Sequence, residues 1–143
     1  MSAEDDVRKA SKQFYTALNR MANGDPASLQ PIWSHNDSVT TMHPVGGREV
    51  GWDHVWNAWD QVAQVSSDGT VELKEQLIRV VGDLAYEVGV EHVDFKIAGN
   101  RVADEVRVTN IYRQEGGAWK IVHHHADLAP QMVEVLQRLQ SGG

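Results

Sequence analysis

Seven histidines and five tryptophans, in a chain of 143 residues with no cysteine, are the side chains of this sequence with the most chemistry to offer. Three histidines are consecutive, His123, His124 and His125, and another, His43, directly precedes Pro44. An imidazole titrates near neutrality, at about 6.5 when unperturbed, so it can take a proton in one step and return it in the next. His43 is therefore a candidate general base. The alternative is a polar wall residue satisfied by its neighbours. Asn110 stands mid-strand among apolar residues, the one uncharged polar group in the middle of its face, and its plain reading is a structural amide hydrogen-bonded to a neighbouring side chain or water.

The histidine run invites a metal reading that strand geometry weakens. Successive strand residues point to opposite faces, so at most His123 and His125 could share an ion, with a third ligand from elsewhere. The helical His-Glu-x-x-His spacing is absent, and the expectation is no metal. The absence of cysteine excludes a disulfide scaffold, a thiol nucleophile and a thiolate zinc site, and it fits a reducing compartment. With 13 Lys and Arg against 20 Asp and Glu, the net charge is −7, which argues against nucleic acid as a partner. No apolar run approaches the roughly 20 residues of a membrane span, and the acidic start, Met1 to Asp6, does not read as a secretory signal. The expected location is cytoplasmic.

The elements that must position these groups follow from periodicity. Val7, Ala10, Phe14, Ala17, Leu18 and Met21 recur at helical spacing, with acidic residues at the favourable helix start. A short second helix is expected after Asp25-Pro26, carrying Leu29, Ile32 and Trp33. Residues 38–43 read as a strand with Val39, Thr41 and His43 on one face, followed by a glycine-rich turn region over 44–51. A third helix begins near Trp52, and its stripe includes Val55, Trp56, Trp59, Val62 and Ala63; tryptophans at that spacing serve a core as readily as a binding pocket. Residues 66–69 are expected to break it.

Four strands then follow, over 71–81, 84–97, 102–114 and 118–126, joined by short turns that imply antiparallel pairing. A last amphipathic helix is expected over about 130–140. On the third of these strands Val102, Asp104, Val106, Val108, Asn110 and Tyr112 share the face expected inside. On the second, Leu84, Tyr86, Val88 and Val90 are expected inside, leaving Glu87 and Glu91, like Glu72 and Glu75, in solvent. The order implies one α+β domain over 1–143, with its core over about 4–127: helices packed on the concave face of a curved, cone-shaped antiparallel sheet that leaves a cavity.

The stretch Val39-Thr40-Thr41-Met42-His43-Pro44-Val45-Gly46, the Trp59 helix and the strand from Trp119 to His125 together resemble the SnoaL-like, ketosteroid isomerase-like branch of the nuclear transport factor 2-like superfamily. That fold is shared by ketosteroid isomerases, polyketide cyclases and the association domain of calcium/calmodulin-dependent kinase. Steroid isomerases carry Asp-Pro-Val-Gly where this chain has His43-Pro44-Val45-Gly46, so the resemblance puts His43 at the position of their base. Their protonated oxyanion-hole aspartate falls near Asn110 and network tyrosines fall near Trp33 and Trp59. Their oxyanion tyrosine falls near Ala17, between Tyr15 and Leu18. These departures argue against steroid isomerisation itself.

The resemblance also implies that Val122, His124 and Ala126 face the cavity and that Trp119, Ile121, His123 and His125 lie on the convex face. Alternation alone puts Trp119 and Ile121 inside, so either a bulge near Gly116-Gly117 shifts the register or a partner covers them. Family members pair through that face, which implies a homodimer. The expected pocket is built from catalytic His43 and Asn110, with Trp33, Trp56, Trp59, Tyr86, Val108, Val122 and His124 around a small apolar or cyclic molecule. The glycine pairs lie in turns without the context of a phosphate-binding loop, so no organic cofactor is expected. The expected function is isomerase, cyclase or hydrolase chemistry by proton transfer, or else ligand binding or dimeric assembly without chemistry.

Overall fold

A computed structural model describes residues 2–141. Helix α1 spans Ala3–Met21 and opens on a capping box: Ser2 Oγ accepts from the Asp5 amide, and the Asp5 carboxyl accepts from the Ser2 amide. Its apolar stripe, including Val7, Phe14 and Leu18, is buried. The expected second helix is a single 3-10 turn, Ala27–Leu29. Beyond that turn Trp33 forms an isolated bridge with Ile121, which ties the segment to the sheet.

Strand β1 (Thr40–His43) carries Thr41 and His43 on its buried side, as expected. The glycine-rich stretch after it is more than a turn. Gly46–Val50 forms β2, antiparallel to β1, and Gly46 and Gly47 take φ of 101° and 86°, the left-handed region open to glycine. Helix α2 (Trp52–Val65) buries Val55, Trp59 and Ala63. It runs directly into β3 (Ser66–Val81), which starts where a break was expected. Strands β4 (Leu84–Ile97), β5 (Asn100–Glu115) and β6 (Ala118–Ala126) complete the meander, and helix α3 (Pro130–Ser141) follows.

The architecture is the expected α+β arrangement, helices against a curved, unclosed sheet, with the six strands ordered β2-β1-β6-β5-β4-β3. The sheet is mixed, because β1 joins β6 in parallel, pairing Thr41 with His124. The other pairings are antiparallel.

Two registers differ from expectation. On β4 the alternation is reversed: Ala85, Glu87, Glu91, Val93, Phe95 and Ile97 are buried, whereas Tyr86 is 44% exposed. On β6 the expected bulge exists but at Val122, not near Gly116-Gly117. Tyr112 pairs with Ile121 and Ile111 with His123, so Val122 is the additional residue. Trp119 and Ile121 before the bulge, and His124 and Ala126 after it, are therefore all buried. Alternation holds before the bulge, with Trp119 and Ile121 inside, and the inward placement of His124 and Ala126 holds after it; the convex placement of Trp119 and Ile121 and the cavity placement of Val122 do not.

A glycine accommodates β4 between its two carboxylates. A Cβ on Gly89 would stand 2.7 Å from Leu73 Cδ1 and 2.8 Å from the Lys74 carbonyl oxygen. Here β3 shifts register between Lys74 and Leu77, with Glu75 at φ 56°. The small residue lets the two strands close at this irregularity.

Candidate functional site

Between the concave face of the sheet, α1, α2 and α3 lies a cavity of about 70 Å³. Apolar side chains from all these elements line it, among them Leu18, Phe95, Met132 and Leu136, together with His43, Trp59, Glu91 and His124. Three titratable groups from three strands thus meet one apolar space.

His43 reaches the wall from the end of β1 and is 6% exposed. Its ring stands edge-on to Trp59 with centroids 4.4 Å apart, and 6.1 Å from the ring of His124. Its Nε2 is fully buried and has no hydrogen-bond partner among the described residues. Burial opposes the charged ring and pushes its pKa down to about 4, so His43 is neutral at pH 7. His124 is also held well below the ordinary histidine value, first by burial and then by the neighbouring imidazoles.

Glu91 is 4% exposed and was expected in solvent. Burial pushes its pKa up to about 7, although the hydrogen bond from the Tyr15 hydroxyl, 2.7 Å from Oε2, opposes the rise. A carboxyl with that value is divided between acid and base near neutral pH, as proton transfer requires.

Behind this wall runs a second layer of polar groups. Glu87, with no exposed surface, accepts from Asn110 Nδ2 (2.9 Å) and the Tyr112 hydroxyl (2.9 Å) on Oε1, and from Gln76 Nε2 (2.6 Å) on Oε2. Asn110 also donates to the Tyr15 hydroxyl (3.1 Å), and its Oδ1 lies 2.6 Å from His124 Nδ1. Burial and the adjacent carboxylates raise the Tyr15 and Tyr112 phenols well above their ordinary value, so both remain protonated donors.

The residues singled out from the sequence are thus dispersed. His43, Trp59 and His124 line the cavity. Asn110 is buried, but both hydrogen-bonding ends of its amide are engaged by protein groups, and it stands behind the wall rather than on it. Trp33 is core, 1% exposed, with centroids 6.2 Å from Trp59. Trp56 is partly buried against Trp52. Val108 is buried outside the cavity wall, Val122 occupies the bulge, and Tyr86 lies on the outer face. Sequence reasoning missed Glu87, Glu91 and Tyr15. The available signal was a pair of glutamates at even spacing on β4, separated by a glycine of the same parity.

Among the described residues, no group of three His, Asp or Glu side chains is arranged to hold a metal, and no helix is long and apolar enough to cross a membrane. His123 turns away from the cavity and meets Thr40 Oγ1 at 2.6 Å.

Comparison with known proteins places this architecture. A candidate dehydratase of the nuclear transport factor 2-like family from Streptomyces avermitilis superposes with a TM-score of 0.78 at 24% identity, over 88% of this chain and 95% of that one. A candidate ketosteroid isomerase from Shewanella frigidimarina gives 0.68 at 22%, over 83% and 92%. The calcium/calmodulin-dependent kinase II hub of S. rosetta gives 0.71 at 18%, over 89% and 97%. At these identities the likeness is one of fold. The F-box protein SKIP8 of Arabidopsis thaliana is 20% identical over 122 residues, 85% of this chain; the chain spans about half (49%) of that relative's length. The SnoaL-like domain model matches residues 7–130, and the chain belongs to the SnoaL-like domain family.

Proposed function

We propose that this protein is a cofactor-independent enzyme that moves a proton on a small apolar or cyclic molecule, with His43 as the base and Glu91 as its proton-exchanging counterpart. The class is isomerisation or elimination next to a carbonyl. The observation that carries the reading is the unpaired, fully buried Nε2 of His43 in the wall of an apolar cavity. A buried nitrogen without a partner costs roughly 1–3 kcal/mol, a cost that a substrate hydrogen bond removes. Neutral His43 is ready to accept a proton, and Glu91, at about 7, can give or take one in the same space. Trp59 supplies a flat apolar wall. The fold's occurrence in a candidate dehydratase and a candidate ketosteroid isomerase agrees with this class.

Deuterium exchange in D2O tests the reading, with cyclic enolisable ketones and β-hydroxy ketones as probes and mass spectrometry at the α-carbon as the readout. The wild-type protein is expected to catalyse exchange on at least one probe, and His43→Ala is expected to lose about 100-fold or more, the usual scale of general base catalysis. Exchange unaffected by His43→Ala, or absent across the panel, overturns the assignment.

A second reading, self-assembly, rests on the outer face of the sheet. Leu77, Val81, Leu84 and Tyr86 lie on the same side of the paired strands β3 and β4 and are 41 to 74% exposed. Such a patch favours a homodimer through the convex face, and a likeness of fold to a kinase hub is compatible with it. Sedimentation equilibrium is expected to give a dimer for the wild type and a monomer for Val81→Lys with Tyr86→Lys; a monomeric wild type overturns it. The two readings are compatible, since the cavity and this face lie on opposite sides of the sheet.

A further inference from the structure

We propose that Asn110 is a positioning residue that holds the proton of His124 on Nδ1, leaving Nε2 as a second base at the cavity. The inference rests on the proton-transfer reading above for its use, but its geometry stands alone. It follows from which groups along one hydrogen-bonded chain can only donate or only accept.

The chain begins at the surface of α1. Arg8 is a guanidinium and can only donate. Its Nη1 lies 2.8 Å from Gln76, so Gln76 must turn its carbonyl oxygen outward and its amide nitrogen inward. That nitrogen donates to Glu87 Oε2 at 2.6 Å. Glu87 also receives the Tyr112 hydroxyl on Oε1, so the amide end of Asn110 that meets the same oxygen at 2.9 Å is its NH2. The orientation of Asn110 is thereby settled by its partners. Its Oδ1 points at His124 Nδ1, 2.6 Å away. A carbonyl oxygen accepts, so Nδ1 carries the hydrogen. In a neutral imidazole the other nitrogen, Nε2, is then bare, on a ring that lines the cavity.

The same amide serves a second branch. The other hydrogen of Asn110 Nδ2 goes to the Tyr15 oxygen at 3.1 Å, which leaves the Tyr15 hydrogen free to point at Glu91 Oε2, 2.7 Å away. One asparagine thus gives two cavity-lining groups different roles: an acceptor nitrogen on His124, and on Glu91 an oxygen already supplied with a donor. This role replaces the direct oxyanion contact expected of Asn110 from the sequence, since its amide hydrogens are both committed to protein acceptors.

Nitrogen-15 spectroscopy of ring-labelled histidine tests the proposal without any substrate. Long-range proton–nitrogen correlations at pH 7 are expected to show His124 as the Nδ1–H tautomer, assigned by the loss of its signals in His124→Gln. Asn110→Asp, which still presents an acceptor oxygen to the ring, is expected to keep the proton on Nδ1. Asn110→Leu is expected to lose it, with His124 reverting towards the Nε2–H form that an unconstrained imidazole prefers. An Nε2–H tautomer in the wild-type protein overturns the proposal, a result that needs no variant to fold. An unchanged Nδ1–H tautomer in folded Asn110→Leu overturns it equally. Failure of the proton-transfer reading shows separately, as exchange activity indifferent to His43 in a protein whose His124 tautomer is as stated.

Discussion

Glu91→Gln is expected to make the protein lose about 3 kcal/mol more stability than the wild type as pH falls from 7 to 4.5. The reason is an opposition between buried groups. Glu91 has a pKa of about 7 in the fold and about 4.5 when unfolded, so within that window the native state holds the extra proton. Acidification therefore favours folding through Glu91, and raising the pH towards 7 removes that benefit. His43 works in the other direction. Its pKa is about 4 in the fold and about 6.5 unfolded, so below 6.5 the unfolded chain takes up a proton that the native state excludes. That loss grows as pH falls and is complete below about 4, at about 3 kcal/mol. His124, likewise held below its ordinary value by burial, adds to the loss.

In the wild type the Glu91 and His43 contributions largely offset one another between about 6.5 and 4.5, and His124 and His123, both held below the ordinary histidine value, contribute to the remaining slope. Glutamine keeps an acceptor for the Tyr15 hydroxyl but cannot titrate, so the histidine loss then stands without its counterweight. Urea unfolding at a series of pH values from 7.5 to 4.5 measures this. Parallel stability curves for the wild type and Glu91→Gln would mean that Glu91 is an ordinary surface-like carboxyl.

Glu87→Leu carries the other large expected effect, a destabilisation of about 3–5 kcal/mol. Glu87 has no exposed surface and receives three donors, from Gln76, Asn110 and Tyr112. Leucine fills most of its volume but leaves three polar groups in a space that water does not reach, and each forfeits a hydrogen bond. Tyr112→Phe removes a single donor while Glu87 keeps the other two, so its cost is expected near 1 kcal/mol. Thermal unfolding is expected to separate the pair clearly, with Glu87→Leu lowering Tm by on the order of 10 °C and Tyr112→Phe by a few degrees. A loss below 1 kcal/mol for Glu87→Leu would show that the network is dispensable to the fold.

Glu87 and Glu91 also mark where the sequence misleads. Along β4 the apolar residues Leu84, Tyr86, Val88 and Val90 alternate with Ala85, Glu87, Gly89 and Glu91. A hydrophobic pattern alone turns the first set inward. In the structure it is the second set that faces the helices, because the carboxylates find Tyr15 on α1, Gln76 on β3, and Asn110 and Tyr112 on β5. Burying a carboxyl is costly alone and tolerable when several donors converge on it. Those donors are far apart in the chain, so no local pattern announces them. The bulge at Val122 is similar: it lets Trp119 and Ile121 share the inner side with His124 and Ala126, and its position depends on the pairing with β5 rather than on a glycine signal nearby.

The sequence by itself determined the order and type of the main elements, the α+β class, the family, and the inward placement of His43 and Asn110, because each of these follows from short-range periodicity, turn chemistry or a contiguous motif. Strand alternation set His124 on the opposite face from His123 and His125, but the family resemblance, not the alternation, turned His124 inward, and the bulge at Val122 is what puts it there. The tertiary structure alone decided which face of β4 is buried, that Glu91 rather than Asn110 meets the cavity, and that Asn110 is hydrogen-bonded to His124 and Tyr15. The physical reason is that the type and order of elements are legible from neighbouring residues along the chain. The orientation of a buried polar group is settled only when the donors and acceptors that satisfy it have been brought together from distant parts of the chain.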